Sequence, residues 1–401
     1  MDKALAGVKI LECSRLVTGP YCTKLLADLG AETMKIEEPG VGDEARKRGP
    51  FPEDIPHPER SGLFLFLNTN KLGITLNLKS PKGMEIFSSL VKEADILVED
   101  YSPGEAKALG LVYESLSKLN PKLVICSITP FGQTGPYRNY KSYSLNTLHA
   151  GGQGYLIPGG IEFLDRPPVK VANFFADFCC GLVAAIAILA ALYRVNIEGV
   201  GEYIDISKQE ALMFYERWGV VRYANEKLVV SRATEGYTIG GIMPCKDGFT
   251  MFWCVLPHEW ERLKKLMGNP AWTEEEKFRD LSSAILHWEE ANAYILEWLV
   301  NYTAEELYHM GQAAGVPFGM VRTAEDLFNS DQMKAREFFV PIQHPAVGTF
   351  EYPSAPYKLS ETPWCVDHPA PLLGEHNEEV YCQRLGYSKE YLIRLRAAGI
   401  I

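Results

Sequence analysis

The sequence has no CxxC pair, no GxGxxG loop and no excess of basic residues, and each absence removes a class of protein. Nine cysteines are scattered along the chain; only Cys179 and Cys180 are adjacent, and none has metal-ligand spacing. That pattern reads as free thiols in a reducing compartment rather than a disulfide framework. Neither His nor Cys clusters, so no metal or redox cofactor is implied. A formal net charge of −11 excludes a broad nucleic-acid-binding face, while leaving room for a small basic pocket. The start, MDKALAGVKILEC, has no basic segment ahead of a long apolar one, so no secretory signal is expected. The longest run that is both uncharged and largely apolar, 178–193, falls short of the roughly 20 residues of a membrane span. It is rich in Ala and reads as a buried helix. A cytoplasmic protein without a membrane or nucleic-acid partner is expected.

What is present is alternation. VKILEC (8–13), ETMKIEE (32–38), GITLNL (73–78), DILVED (95–100) and KLVICSI (122–128) are strand candidates. Between them lie helical stretches at 19–30, 80–94 and around 105–118. Such alternation predicts a Rossmann-like α/β domain, a parallel sheet covered by helices, with ligands beyond the carboxyl ends of its strands. Because no GxGxxG follows the first strand, a standard dinucleotide site is not expected. The stretch 131–176 is rich in Gly, Pro and Tyr and reads as loops; a long apolar helix (177–193), a strand (202–207) and a helix to about 225 follow. The turn-rich stretch 231–248 opens a different region, with helical patterns at 257–267, 282–301 and 303–314 around strands near 249–254 and 317–322. The expected division is a large domain over 1–200, a linker helix over 201–225, a smaller α+β domain over 226–330, and a segment 331–401 returning to the large domain. Seven prolines, from Pro341 to Pro371, make that last segment extended.

Asp177 stands just before the apolar run FCCGLVAAIAILAALY and has two readings. As an N-cap, its carboxylate would accept hydrogen bonds from the first free N–H groups of a buried helix. As a nucleophile, it would be kept ionised by the same helix end. Capping would tie up the lone pairs that a nucleophile must offer.

The segments LAGVKILECSRLVTGPYCTKLLADLGAETMKIEEPGVGDEARKRGP (5–50), NTNKLGITLNLKSPKG (68–83), ILVEDYSPG (96–104), NPKLVICSITPFGQTGP (120–136), FFADFCCGLVAAIAILAALY (174–193) and GVGEYIDISKQEALM (199–213) resemble, in this order, the family III CoA-transferases. The resemblance implies an enzyme moving coenzyme A between carboxylic acids, and an interlocked, ring-like homodimer. It implies that Asp177 attacks a donor thioester to give an aspartyl anhydride, which the CoA thiolate converts to an aspartyl thioester before the acceptor acid takes over the CoA.

The resemblance also carries substrate contacts: Val17 and Thr18 beside the reaction centre; Leu76, Lys79, Asp100 and Tyr101 along the CoA site; Lys141 and Tyr143 near the CoA arm. Arg46, in GDEARKRGP, would meet a CoA phosphate. Where relatives carry a phosphate-binding Arg after DYSPG, this chain has Ala108, so Lys107, Arg46, Lys47 or Arg48 would substitute. Gly240 and Gly241, with Gly236 upstream, are the nearest match to a glycine-rich lid. Each of these residues has a plainer reading: solvated charge for the Lys and Arg, packing for the tyrosines.

The related alpha-methylacyl-CoA racemases are the rival reading. They need a His-Asp pair in the segment matching 142–150. This chain reads SYSLNTLHA there, and His149 lies too late and has no Asp after it. A non-catalytic subunit would lack the acidic nucleophile, and a plain acyl-CoA-binding protein would bind CoA without turnover.

Overall fold

The computed structural model describes residues 3–159, 164–232 and 238–401. The chain divides into two compact units: Met1–Ile157, Pro168–Val229 and Phe338–Ile401 form the first, Pro158–Pro167 and Val230–Glu337 the second.

The first unit is built on six parallel strands: β1 (Lys9–Cys13), β2 (Glu32–Glu37), β3 (Lys71–Thr75), β4 (Ile96–Glu99), β5 (Val124–Thr129) and β6 (Tyr203–Ser207). They lie in the order β3-β2-β1-β4-β5-β6. The order reverses between β1 and β4, the place where a doubly wound sheet opens a crevice for ligands. The segment 201–225, expected as a linker, instead supplies the sixth strand and two helices.

Among the described residues, these strands are accompanied by α1 (Thr18–Ala27), α2 (Gly62–Leu67), α3 (Pro81–Val91), α4 (Pro103–Ala108), α5 (Tyr113–Leu119), α6 (Ser144–Ala150), α7 (Phe175–Glu198), α8 (Lys208–Tyr215) and α9 (Arg217–Glu226). Ser80 caps α3 with Pro81 following, and Ser102 closes a capping box with Glu105 on α4. Both faces of the sheet are buried, so the strands read as near-continuous apolar runs. Successive residues serve opposite layers. Leu11 and Leu97 join Ile86, Phe87 and the C-terminal Val380 and Tyr381 on one face. Ile10, Ile96 and Val98 join Leu26, Ala184 and Ile188 on the other.

The C-terminal segment is less extended than its prolines imply. It forms an antiparallel hairpin, β7 (Phe339–His344) with β8 (Gly348–Pro353), and ends in a helix (Lys389–Ala397). Tyr381 Oη donates to the Thr75 carbonyl at 2.7 Å, fastening this segment to β3.

Helix α7 is longer than the sequence indicates, at 24 residues, and is apolar enough to cross a membrane by length and composition. Ala184, Ala185, Ile188, Ala191 and Leu192 on its buried face nevertheless belong to the sheet core.

The second unit carries a three-stranded antiparallel sheet of Ile239–Cys245, Gly248–Cys254 and Phe318–Met320. Phe252, Trp260, Phe278, Ile295 and Phe318 fill its core. The strand at 239–245 is absent from the sequence reading because Gly240 and Gly241 interrupt its pattern.

Candidate active site

Loops at the carboxyl ends of β1, β2, β3 and β4 enclose a cleft of about 290 Å³. Leu76, Lys79 and Tyr101, all expected at a CoA site, line it together. Asp100 stands behind it, half-buried, accepting the Arg15 backbone N–H at 2.8 Å. Burial pushes the Asp100 carboxyl up to about 6 against the pull of the Arg15 guanidinium. Arg15 lines the cleft as well, its guanidinium 5.1 Å from the centre of the Tyr101 ring. Sequence reading missed Arg15, although a basic residue directly after the first strand, at the switch point, was a usable signal.

Arg46 is not a phosphate ligand. It is almost wholly buried, pairs with Glu37 at 2.7 Å and Glu59 at 2.5 Å, and lies over the Phe64 ring. Two carboxylates saturate the guanidinium and leave it no free face for an anion. Lys107, Lys47 and Arg48 are exposed and do not line the cleft, whereas Ala108 does. Lys141 is exposed, and its charge helps hold the cleft residue Glu105 below its usual pKa, after the larger effect of Ser102. Tyr143 precedes α6 and is mostly exposed.

Asp177 lies elsewhere on the same edge. Phe174, not Asp177, occupies the N-cap of α7; Asp177 is the third helical residue. Its carboxylate takes no backbone hydrogen bond among the described residues, so the capping role does not hold. Thr18 Oγ1 donates to Asp177 Oδ1 at 3.0 Å, and Lys208 Nζ stands 2.9 Å from the same oxygen. Among the described residues, neither Asp177 Oδ2 nor Ser144 Oγ, both buried, has a hydrogen-bond partner. Burial alone would raise the Asp177 pKa. The Lys208 charge and hydrogen bond, aided by the Ser144 and Thr18 hydroxyls, overcome this and hold it below the usual value. The influence of Ser144 therefore comes from proximity, since its hydroxyl completes no well-formed bond. Burial pushes the neighbouring Cys180 thiol up to about 12, so it stays neutral and Asp177 is the anion of this helix end.

Three local features build this geometry. Gly181 lets α7 approach α1, since a Cβ there would lie 2.7 Å from the Thr18 carbonyl oxygen. Leu16 adopts a left-handed φ of 66°, which turns the chain sharply between β1 and α1. Asp43 holds that turn by accepting the Leu16 N–H at 2.9 Å, and Lys35 pairs with Asp43 at 2.7 Å and with Glu12 at 2.8 Å. Val17, buried next to Thr18, is part of this support and not a surface for substrate.

Neither Lys208 nor Ser144 was singled out in the sequence. Ser144 opens α6, inside a stretch read as loop. Lys208 occupies the first position of α8, where the helix dipole disfavours a cation. That misfit was the legible signal.

Gly240 and Gly241 belong to the second unit, with φ of 101° and 133°. A Cβ on Gly240 would lie 2.2 Å from the Phe252 carbonyl, so its own strand pairing requires glycine. Gly236 lies outside the described residues. His149 ends α6 with its ring packed on Gly154, where a Cβ would come within 2.0 Å of Nδ1.

Residues 5–377 match CoA-transferase family III. The chain belongs to that family. A succinyl-CoA–D-citramalate CoA-transferase of Chloroflexus aurantiacus is 31% identical, over the whole of this chain and 98% of its relative. A formyl-CoA:oxalate CoA-transferase of Streptomyces coelicolor is 32% identical over the whole of this chain and 99% of its own. A solved CAIB/BAIF family protein from Brucella suis superposes with a TM-score of 0.84 at 28% identity, covering 96% of this chain and all of the other. The protein is a CoA-transferase, acting between acyl-CoA and carboxylate.

Proposed function

We propose that Asp177 is the nucleophile of this transfer and carries two successive covalent intermediates. The observation that carries the reading is Asp177 Oδ2: buried, on an ionised carboxylate, and without a hydrogen-bond partner among the described residues. Oδ2 attacks the donor thioester carbon, the C–S bond breaks, and an aspartyl anhydride and CoA thiolate result. The thiolate then attacks the aspartyl carbon and releases the donor acid, leaving an aspartyl-CoA thioester. The acceptor carboxylate reverses both steps with its own carbon chain in place of the donor's. A carboxylate is a weak nucleophile, but its anhydride is reactive, so a hard exchange is divided into easier ones. The CoA thioester supplies the activation, and no metal or redox cofactor enters the scheme.

The cleft of Leu76, Lys79, Tyr101 and Arg15 takes the CoA body, with Asp100 positioning Arg15 and Lys141 near its rim. Arg15 and Lys79 provide the positive charge for its phosphates. Remote binding of this kind keeps the thiolate close while the acids exchange. The relatives' names, succinyl-CoA with D-citramalate and formyl-CoA with oxalate, make short polar acids the first donors and acceptors to try.

The test is mass spectrometry of the protein incubated with an acyl-CoA panel and quenched with hydroxylamine, alongside Asp177→Ala. A hydroxamate on the Asp177 peptide, missing from the variant, is expected. No adduct with any donor, together with deuterium exchange beside the thioester of a branched acyl-CoA, would make the enzyme a racemase instead.

The reading includes a cytoplasmic homodimer. Its support is a stripe of exposed apolar residues on α7, namely Leu182, Ile186, Leu189, Tyr193 and Ile197, spaced three or four apart on one helix face. Sedimentation across a dilution series should show dimer without folded monomer.

A further inference from the structure

Lys208 follows the last residue of β6 directly, which brings its side chain to the carboxyl edge of the sheet. Helix α8 does not depend on it for anchorage. Ser207 caps the helix by accepting the Glu210 N–H at 3.3 Å, and Ala211 and Leu212 pack against Leu148, Ala176 and Cys180. The Lys208–Asp177 pair is largely withdrawn from water, with side-chain exposures of 20% and 7%. A pair desolvated this far adds little net stability, because the cost of dehydrating both charges offsets their attraction. The helix dipole opposes a cation at this position as well. Structural support does not account for the lysine.

Thr18 and Lys208 approach the same atom. Their donors stand 3.0 and 2.9 Å from Asp177 Oδ1, whereas among the described residues no donor completes a hydrogen bond to Oδ2, the nearby Ser144 hydroxyl included. That asymmetry divides the labour of the two oxygens. Oδ2 becomes the bridging oxygen once Asp177 is acylated, and Oδ1 becomes the carbonyl oxygen of the activated aspartate.

We infer that Lys208 and Thr18 form an oxyanion hole for the carboxyl carbon of Asp177 itself. The inference rests on the covalent sequence proposed above. When the CoA sulfur attacks the aspartyl carbon, a C–S bond forms and the carbonyl π electrons move onto Oδ1. As that oxyanion collapses, the carbonyl re-forms and the bond from the aspartyl carbon to the bridging oxygen breaks. Its electron pair leaves on the donor carboxylate, and no proton is transferred. Attack of the acceptor carboxylate on the aspartyl thioester puts the same charge on the same oxygen. Donors 2.7 to 3.1 Å from an atom that gains charge, in a site short of water, are the arrangement that stabilises such a state.

The role predicts a split between steps. Acylation of Asp177 does not place negative charge on Oδ1; it removes the charge already there. Lys208→Met should therefore still be acylated at pH 8 but should fail to go on to the CoA thioester. Intact-protein mass spectrometry after rapid acid quench separates the two, because one adduct carries the acyl group and the other CoA. The wild type with acyl-CoA is expected to show the CoA adduct. Lys208→Met should accumulate the acyl adduct, with overall exchange slower by about 10² to 10³-fold, and Lys208→Arg should regain the CoA adduct. Calorimetry with CoA checks that each variant is folded; if Lys208→Met is not, Lys208→Gln replaces it against Lys208→Arg. Exchange within about threefold of wild type, equal loss of both adducts in a variant that binds CoA, or an arginine variant no better than methionine would each overturn the inference. Wild-type adducts at Asp177 would still stand in those cases. Absence of any adduct from the wild type would instead remove the covalent reading beneath it.

Discussion

Thr18 Oγ1 donates to Asp177 Oδ1 across 159 positions of sequence, joining the first residue of α1 to the first turn of α7. The bond depends on the close packing of the two helices at Gly181 and on the left-handed turn at Leu16. That turn in turn depends on Asp43, Lys35 and Glu12. These three have no solvent exposure to speak of, and their charges balance once Lys71, paired with Glu12 at 2.8 Å, is counted with them. Burial alone would raise the Glu12 pKa, yet Lys35 and Lys71 hold it down to about 2. The reaction centre is thus fixed from beneath by a buried ionic network at the sheet's edge.

Thr18→Val keeps the shape of the side chain and removes its donor. A hydrogen bond to a charged group contributes about 1.5 to 3 kcal/mol, so exchange should slow by roughly 10 to 100-fold. Thr18→Ser, which keeps the hydroxyl, should stay close to wild type. Steady-state kinetics of label exchange between acid and thioester measures both. Equal rates for the valine and serine variants would show that the hydroxyl plays no part in the reaction.

The sheet was legible in the sequence because its strands are short apolar runs separated by capped helices, as at Ser80-Pro81 and Ser102-Pro103. Asp177 was legible too, as a charged residue heading an apolar helix, although its position inside the first turn was not. What stayed hidden depends on contacts far apart in the chain. Arg46 looked like a phosphate ligand in a run of basic residues, but Glu37 and Glu59 fold onto it. Lys208 was not singled out, and only the return of β6 to the sheet edge brings it to Asp177. Helix α6 was missed because the glycines, prolines and tyrosines around it dominate that stretch, and Ser144 was missed with it.

Arg46 and Lys79 separate structure from binding. Arg46→Met leaves Glu37 buried with its main counter-charge gone, which should cost about 3 to 5 kcal/mol of stability. Lys79 is mostly exposed, and its ammonium pairs with Glu38 at 3.1 Å. Lys79→Met should leave the unfolding midpoint unchanged and weaken CoA binding by about fivefold, since an exposed charge meeting phosphate contributes modestly. Thermal unfolding and CoA titration on both variants make the comparison. A stable Arg46→Met that loses CoA affinity would restore Arg46 to the phosphate site.

Glu99 sets a pH dependence of stability behind the cleft. Its carboxyl is buried, accepts the Tyr101 N–H at 2.8 Å, and leaves Oε1 without a partner. Burial pushes its pKa up to about 7 from an ordinary value of 4.5, against the opposing influence of the nearby Ser127 hydroxyl and the Tyr101 N–H. Between those two values the folded protein holds a proton that the unfolded chain has lost. Stability contributed by Glu99 is therefore complete below pH 4.5 and is lost as the pH rises through 7. Glu99→Gln is neutral in both states and removes the effect. The difference in unfolding free energy between wild type and Glu99→Gln should shift in the variant's favour by up to about 3 kcal/mol from pH 4.5 to 8. Denaturant unfolding across that range measures it. A difference that stays constant would mean that Glu99 is ionised in the folded protein throughout, with its charge met by a group other than Tyr101 and Ser127.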